Sequence, residues 1–167
     1  MEDLAIRDGL TGLYLRRYMQ ERLNEEMGRE LRRGRELCFL MIDLDRFKQY
    51  NDSFGHIAGD IVLRTIGTVL LDHFSQPGDL VCRYGGEEFC VLLPDCPKDK
   101  AVELANDVRK KILAKEVILR RQKTHVSVSI GVAAFPTDAR SKEELIMKAD
   151  EALYKAKESG RNKVCVA

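Results

Sequence analysis

The sequence predicts an α+β domain: a central, mostly antiparallel β-sheet covered by helices. Three observations carry this. Short apolar runs alternate with long amphipathic stretches along the whole chain. Two of those runs, 80–84 and 89–93, are separated only by Gly85, Gly86, Glu87 and Glu88, which is hairpin spacing and makes the sheet at least partly antiparallel. The length of 167 residues, with 44% hydrophobic and 33% charged residues, suits one domain around a full-sized core.

The elements follow in order. Residues 12–33 carry Leu15, Met19, Leu23, Met27 and Leu31 between charges, a helical stripe that Gly34 ends. ELCFLMI at 36–42 is a nearly continuous apolar run and reads as a buried strand. DLDRFKQYND then leaves room for a short helix. After Gly55, residues 56–74 read as a second long helix with Ile57, Ile61, Ile66, Val69 and Leu70 inward. SQPGD at 75–79 is a turn before the hairpin strands. Residues 98–115 form a helix with Val102, Ala105, Val108 and Ile112 inward. Strands are expected at 117–120 and 125–134. In the second, Val126, Val128 and Ile130 alternate with Ser127, Ser129 and Gly131, the pattern of a half-buried strand. Ser141 with Glu144 is a capping box that opens a helix ending at Gly160, and 164–166 is a last strand.

Charge and composition exclude several classes. A formal net charge of +1 leaves no basic excess to hold nucleic acid. MEDLAIRDG has no apolar run and no small-residue cleavage site, so no secretory signal is read there. No stretch of 18 apolar residues exists to span a membrane. The five cysteines lack C-x-x-C spacing and read as reduced, buried thiols of a cytoplasmic protein.

The chemistry gathers in three places: Asp43-Leu44-Asp45 where the first strand runs out, the GGEE hairpin tip, and the polar stretch 48–60. One small sheet can bring a strand end beside a hairpin tip, so Asp43 and Glu87 can converge. Carboxylates without His or Cys favour Mg²⁺ over zinc. A bound metal would offset the repulsion between Glu87 and Glu88. Gly85 and Gly86 would permit positive φ and close ligand approach. Each feature has a plainer reading. GGEE alone is a turn with surface acids. Asp43 and Asp45 alone are helix caps. Asp60 and Arg64 are a surface ion pair. His56 is structural, and Lys157 and Arg161 complement a helix C-terminus. Their joint occurrence weakens these.

DLDRFKQYNDSFGHIAGDIVL at 43–63 and RYGGEEF at 83–89 together resemble the GGDEF family, the diguanylate cyclases. DGLTGLYLRR at 8–17, VSIGVA at 128–133 and ADEALYKAKESGRN at 149–162 extend the likeness over nearly the whole chain. The resemblance implies a palm-like, ferredoxin-like sheet and a single GGDEF domain over 1–167, part of a longer regulatory protein. It implies that two GTP molecules become cyclic di-GMP with release of two pyrophosphates, across a homodimer whose domains face each other. Asp43, the Leu44 carbonyl and Glu87 would hold Mg²⁺ or Mn²⁺, and Glu88 would support a second ion. Glu87 would accept the hydroxyl proton, and Lys48 would neutralise phosphate charge. Asn51 and Asp60 would read guanine, with His56 helping and Gly85 and Gly86 close to substrate. Lys157 and Arg161 would lie near the triphosphate.

Two departures from the family pattern stand out. Leu15 replaces the usual Asn of the N-terminal segment. Gln76 stands where many members have the Arg of an R-x-x-D product-inhibition site, while Asp79 is retained. Gln cannot offer the charged fork of donors that Arg does, so weak or absent product inhibition is expected. Two alternatives compete with an active cyclase. A silent GTP-binding signalling module would usually have lost the signature carboxylates, which are present here. An adenine-specific cyclase or polymerase-like enzyme is disfavoured by Asp60.

Overall fold

The computed structural model describes residues 6–167. Met1–Ala5, where no secretory signal was read, lie outside the described residues. Among the described residues, a six-stranded sheet has the order β1-β3-β4-β2-β7-β8. The strands are β1 (Tyr14–Leu15), β2 (Leu37–Leu44), β3 (Leu80–Arg83), β4 (Glu88–Leu93), β7 (Val128–Phe135) and β8 (Val164–Val166). The inner pairings β3–β4, β4–β2 and β2–β7 are antiparallel, and the edges β1–β3 and β7–β8 are parallel. A separate hairpin joins β5 (Val117–Leu119) to β6 (Gln122–Thr124). The helices are α1 (Arg16–Arg33), α2 (Phe47–Phe54), α3 (His56–His73), α4 (Lys98–Ala114) and α5 (Lys142–Glu158). No helix among the described residues is long and apolar enough to cross a membrane.

The sheet divides the core in two, and β2 shows why. Side chains alternate faces along a strand. Cys38, Leu40, Ile42 and Leu44 join the layer under α3 and α4, while Leu37, Phe39 and Met41 join the layer under α1 and α5. By the same period, Asp43 and Asp45 lie on the α5 side.

Four expectations need correction. The first helix starts at Arg16, because Tyr14 and Leu15 pair in parallel with Cys82 and Arg83 as an edge strand. Its stripe is shorter than expected: Met19, Leu23 and Met27 are buried, but Leu31 is 60% exposed. A spacing of four residues advances by about 40° per step, so five such positions cannot share one face. Glu26 and Glu30 take the remaining buried places, Glu26 with Arg22 and Arg29 each at 2.8 Å. Ile57 on α3 is 81% exposed, because the packed face uses Ala58, Gly59 and Gly67 instead. β7 is buried on both faces rather than one. Its small face is covered at close range by α5: a Cβ on Gly131 would stand 2.1 Å from the Ala149 carbonyl oxygen. Small residues there mark helix contact, not solvent.

Other expectations hold. Ser141 caps α5, its hydroxyl accepting from the Glu144 amide at 3.1 Å. Glu144 reaches back one residue further than a standard box, to the Arg140 amide. The described cysteines are all free thiols, four of them buried.

Candidate active site

β2 carries Asp43 to the carboxyl end of the sheet, between Glu88 on β4 and Ser129 on β7 in register. Asp43 is 6% exposed. Burial raises its pKa. The Lys157 ammonium, 2.5 Å from Oδ2, opposes that rise. Thus α5 delivers a cation to the strand end, and Lys157 does more than complement its own helix terminus.

The β3–β4 hairpin tip folds against the same place. The Leu44 amide donates to the Glu87 carbonyl at 3.2 Å. Burial raises the pKa of Glu87, and the Asp43 charge raises it further. Glu88 is raised by burial, then by Asp43 and Asp150. The Asp43 charge at the strand end thus disfavours ionisation of both glutamates at the hairpin tip.

Arg83 fixes that tip. Its Nη2 and Nε donate to the Gly86 carbonyl at 2.8 and 3.2 Å, and its Nη1 reaches both Asp8 oxygens at 3.2 Å. Asp8 in turn accepts from the Thr11 amide and hydroxyl. Burial pushes the Asp8 pKa up, but Thr11 and Arg83 outweigh it and hold the group below its usual value. Sequence reasoning missed both residues as site components. The signal was present in the D-x-L-T-G segment and in the Arg immediately before Tyr84.

Two helices complete the cleft. Lys48 and Asn51 lie one turn apart on α2, and His56 and Asp60 lie one turn apart on α3. Gly55, at φ 91°, makes the break between the helices. A cleft of about 530 Å³ is lined by Lys48, Asn51, His56, Asp60, Gly86 and Glu87, among others. A smaller compartment of about 210 Å³ holds Asp43, Lys157 and Arg161 and shares Lys48 and Glu87 with the first. The site is thus elongated, with carboxylates and cations at one end and an amide, a histidine and an acid at the other. No ion pair joins Asp60 to Arg64, and the Lys48 ammonium has no partner among the described residues.

Asn51 sits tightly. Its Oδ1 is buried without a hydrogen-bond partner, and a Cβ on Gly59 would stand 1.9 Å from it. Gly59 is therefore the space that admits the Asn51 amide.

Some predicted site residues lie elsewhere or behave differently. Neither signature glycine adopts positive φ. Gly86 is open toward the cleft, while a Cβ on Gly85 would meet the Glu88 carboxylate at 2.9 Å. Glu88 lines a neighbouring groove with Asp150, Tyr154 and Lys157. Asp45 caps no helix: Arg46 is the N-cap of α2, and Asp45 is engaged with Ser127 and Ser129 at the start of β7. Among the described residues, no three His, Cys or acidic side chains converge to enclose a metal unaided. The donors at the strand end are all hard oxygens, and Mg²⁺ characteristically uses one or two carboxylates plus water and substrate phosphate. That donor set fits such an ion.

Gln76 and Asp79 stand at the other end of β3 from the hairpin tip. They close on each other: the Gln76 amide donates to Asp79 Oδ2 at 3.1 Å, and the Asp79 amide to the Gln76 carbonyl at 3.0 Å. Burial pushes the Asp79 carboxyl up to about 6, against a modest opposing pull from the Gln76 amide. A raised folded-state pKa gives stability that is present below the unfolded value and lost as pH rises through the folded one. Asp79→Asn should therefore raise the melting temperature at pH 8 and leave it unchanged at pH 3.5. The full shift would correspond to about 3 kcal/mol, but at this half-exposed position screening reduces the expected gain to about 1 kcal/mol, or about 2–4 °C. Thermal melts at the two pH values check it.

The family model "Diguanylate cyclase, GGDEF domain" matches residues 5–163. The response regulator PleD of Caulobacter vibrioides is 41% identical over 164 residues, covering 97% of this chain and 36% of PleD. Diguanylate cyclase A of Treponema denticola is 35% identical over 168 residues, covering 99% of this chain and 45% of the relative. Among solved structures, the coiled coil and GGDEF domain of DgcB from Caulobacter crescentus, in complex with c-di-GMP, superimposes with a TM-score of 0.93 at 28% identity. That match covers 99% of this chain and 87% of the other. The chain spans less than half the length of these two curated relatives.

Proposed function

The chain belongs to the GGDEF family of diguanylate cyclase domains, whose members depend on divalent metal and use GTP, and on that premise we propose that it condenses two GTP into cyclic di-GMP with release of two pyrophosphates. The observation that carries this reading is the grouping of Asp43, Glu87 and Lys157 at the strand end, continuous with the cleft of Asn51 and Asp60.

The residues divide the work by chemistry. Asp60 accepts from two adjacent donors on the guanine edge, and adenine's acceptor there would be repelled. Asn51 adds amide contacts, and His56 lines the same pocket. Asp43, the Leu44 carbonyl and Glu87 would hold one Mg²⁺ or Mn²⁺, and Glu88 would support a second. Bound there, the metal supplies Lewis acidity to phosphate oxygens. Lys48, Lys157 and Arg161 balance the triphosphate charge. Lys157, paired with Asp43, lines the compartment that the phosphates would enter. Glu87 is placed to accept the proton of the attacking 3′-hydroxyl.

Each substrate's 3′-hydroxyl attacks the α-phosphate of the other, so two copies of the domain must face each other. The test is a nucleotide and concentration series. Cyclic product is expected from GTP and not ATP, and the rate per protein should rise with protein concentration. A specific activity that stays flat across a wide range contradicts obligatory pairing.

Product inhibition is expected to be weak, since Gln76 replaces the charged fork and Asp79 is closed on its own turn. Titration with cyclic di-GMP checks this. Tight, saturable binding that Asp79→Ala removes would contradict it.

A further inference from the structure

Asp43 and Asp45 share one side of the chain as β2 ends, yet Asp43 pairs with Lys157 while Asp45 is held by other partners. The Asp45 carboxylate is 8% exposed. It accepts from the Ser127 hydroxyl at 2.6 Å, the Ser129 hydroxyl at 2.6 Å and the Asn162 amide at 3.0 Å. Its own amide donates to the Ser127 carbonyl at 2.9 Å. A carboxylate offers about four acceptor positions. Three are taken by Ser127 just before β7, by Ser129 on β7 and by the turn after α5.

That turn is unusual. Gly160, Arg161 and Asn162 have φ of 122°, 63° and 48° in succession. Asn tolerates the left-handed region, but Arg has no such preference. The turn persists because its polar groups are held. The Arg161 amide donates to the Ala156 carbonyl at 2.9 Å, and Arg109 donates to the Asn162 side chain at 3.0 Å. The Asp45 bond differs from these. It ties the turn, through a buried charge, to the strand that carries Asp43. The Arg161 side chain lines the compartment of Asp43, Lys48 and Lys157. Both acids of the D-x-D line that compartment, but Asp43 faces Lys157 while Asp45 is tied to the turn that carries Arg161.

We propose that Asp45 is a positioning residue that holds the Arg161–Asn162 turn in its left-handed form, so that Arg161 meets the phosphate end of a nucleotide beside Asp43. The phosphate part rests on the nucleotide reading above. The holding part does not.

The test separates the two. Calorimetry with Mg²⁺ would compare guanosine with α,β-methylene-GTP, which cannot react. In Asp45→Ala, affinity for the triphosphate analogue should fall about tenfold or more, consistent with loss of an aligned charged partner. Guanosine affinity should stay within about twofold. Asp45→Ala combined with Arg161→Ala should bind no more weakly than Arg161→Ala alone. Asp45→Asn keeps an oxygen at the Asn162 amide and should recover much of the loss. Amide exchange by NMR supplies the second arm: Asn162 should exchange about tenfold faster in Asp45→Ala, or in Asp45→Ser, whose hydroxyl is too short to reach the Asn162 amide, if the alanine variant does not fold, while Val91 in the middle of the sheet is unchanged. Equal loss for guanosine and analogue, or additive effects with Arg161→Ala, would overturn the phosphate part. Unchanged Asn162 exchange would overturn the holding part. Wild-type protein that binds no analogue would overturn the nucleotide reading and the phosphate part together, and the exchange arm would still decide whether Asp45 holds the turn.

Discussion

Glu87→Gln is expected to lower cyclic di-GMP formation by at least about 100-fold while raising the melting temperature of the metal-free domain at pH 8. The loss follows from removing both a metal ligand and the proton acceptor, and acid–base help alone is worth about 10²–10⁴-fold. The stabilisation follows from burial and from Asp43, which raise the Glu87 pKa in the folded state. A raised folded pKa means stability that is present below the unfolded pKa and lost as pH climbs through the folded one. At pH 8 the ionised Glu87 costs stability, and Gln removes that cost. At pH 3.5 both forms are neutral and the difference should vanish. Mg²⁺ should reverse the order, stabilising the wild type and not the variant. Product mass and paired melts at the two pH values, with and without Mg²⁺, check each part. A variant that keeps its rate, or melts lower than wild type at pH 8 without metal, contradicts the assignment.

Asp60→Ala is expected to cost about 10²-fold in kcat/KM for GTP and to erase the preference for GTP over ITP. ITP lacks the exocyclic amine, so the wild-type enzyme should use it poorly and the variant should treat the two alike. The magnitude is that of a charged acceptor lost from two donors, reduced because Asp60 lies exposed at the cleft rim. Asn51 supports the same recognition from its seat over Gly59. Steady-state rates with GTP, ITP and ATP decide the matter. A variant that still prefers GTP over ITP as strongly as wild type would remove Asp60 from base recognition.

Much of the fold was legible because period and punctuation agreed. The hairpin around GGEE, the apolar run at 36–42 and the capped last helix each carried a local signal, and each stands near its expected bounds. The failures share a cause. Helix stripes were read from large side chains, so Leu31 and Ile57 were assigned inward while Gly59, Gly67 and Gly131 were not weighed as packing surface. β6 was missed because Gln122-Lys-Thr124 is polar, and its anchor is a hydroxyl pair between Tyr50 and Thr124. In the site, residue types led to Asp43 and Glu87, and the likeness to the GGDEF family added Asn51 and Asp60; the folded chain sets them around two compartments that share Lys48 and Glu87. Arg83 and Asp8 stand inside the DGLTG and RYGGEEF segments but act through other residues, and their pairing across 75 positions is not written in either segment alone; Asp45 reads locally as a helix cap, and its tie to Ser127 spans 82 positions.

The most direct test of the account is to incubate concentrated protein with GTP and Mg²⁺ and weigh the product, beside Asp43→Asn. Cyclic di-GMP and two equivalents of pyrophosphate are expected from the wild type, and neither from the variant. Intact GTP after prolonged incubation at high protein concentration, with the domain folded, would contradict it.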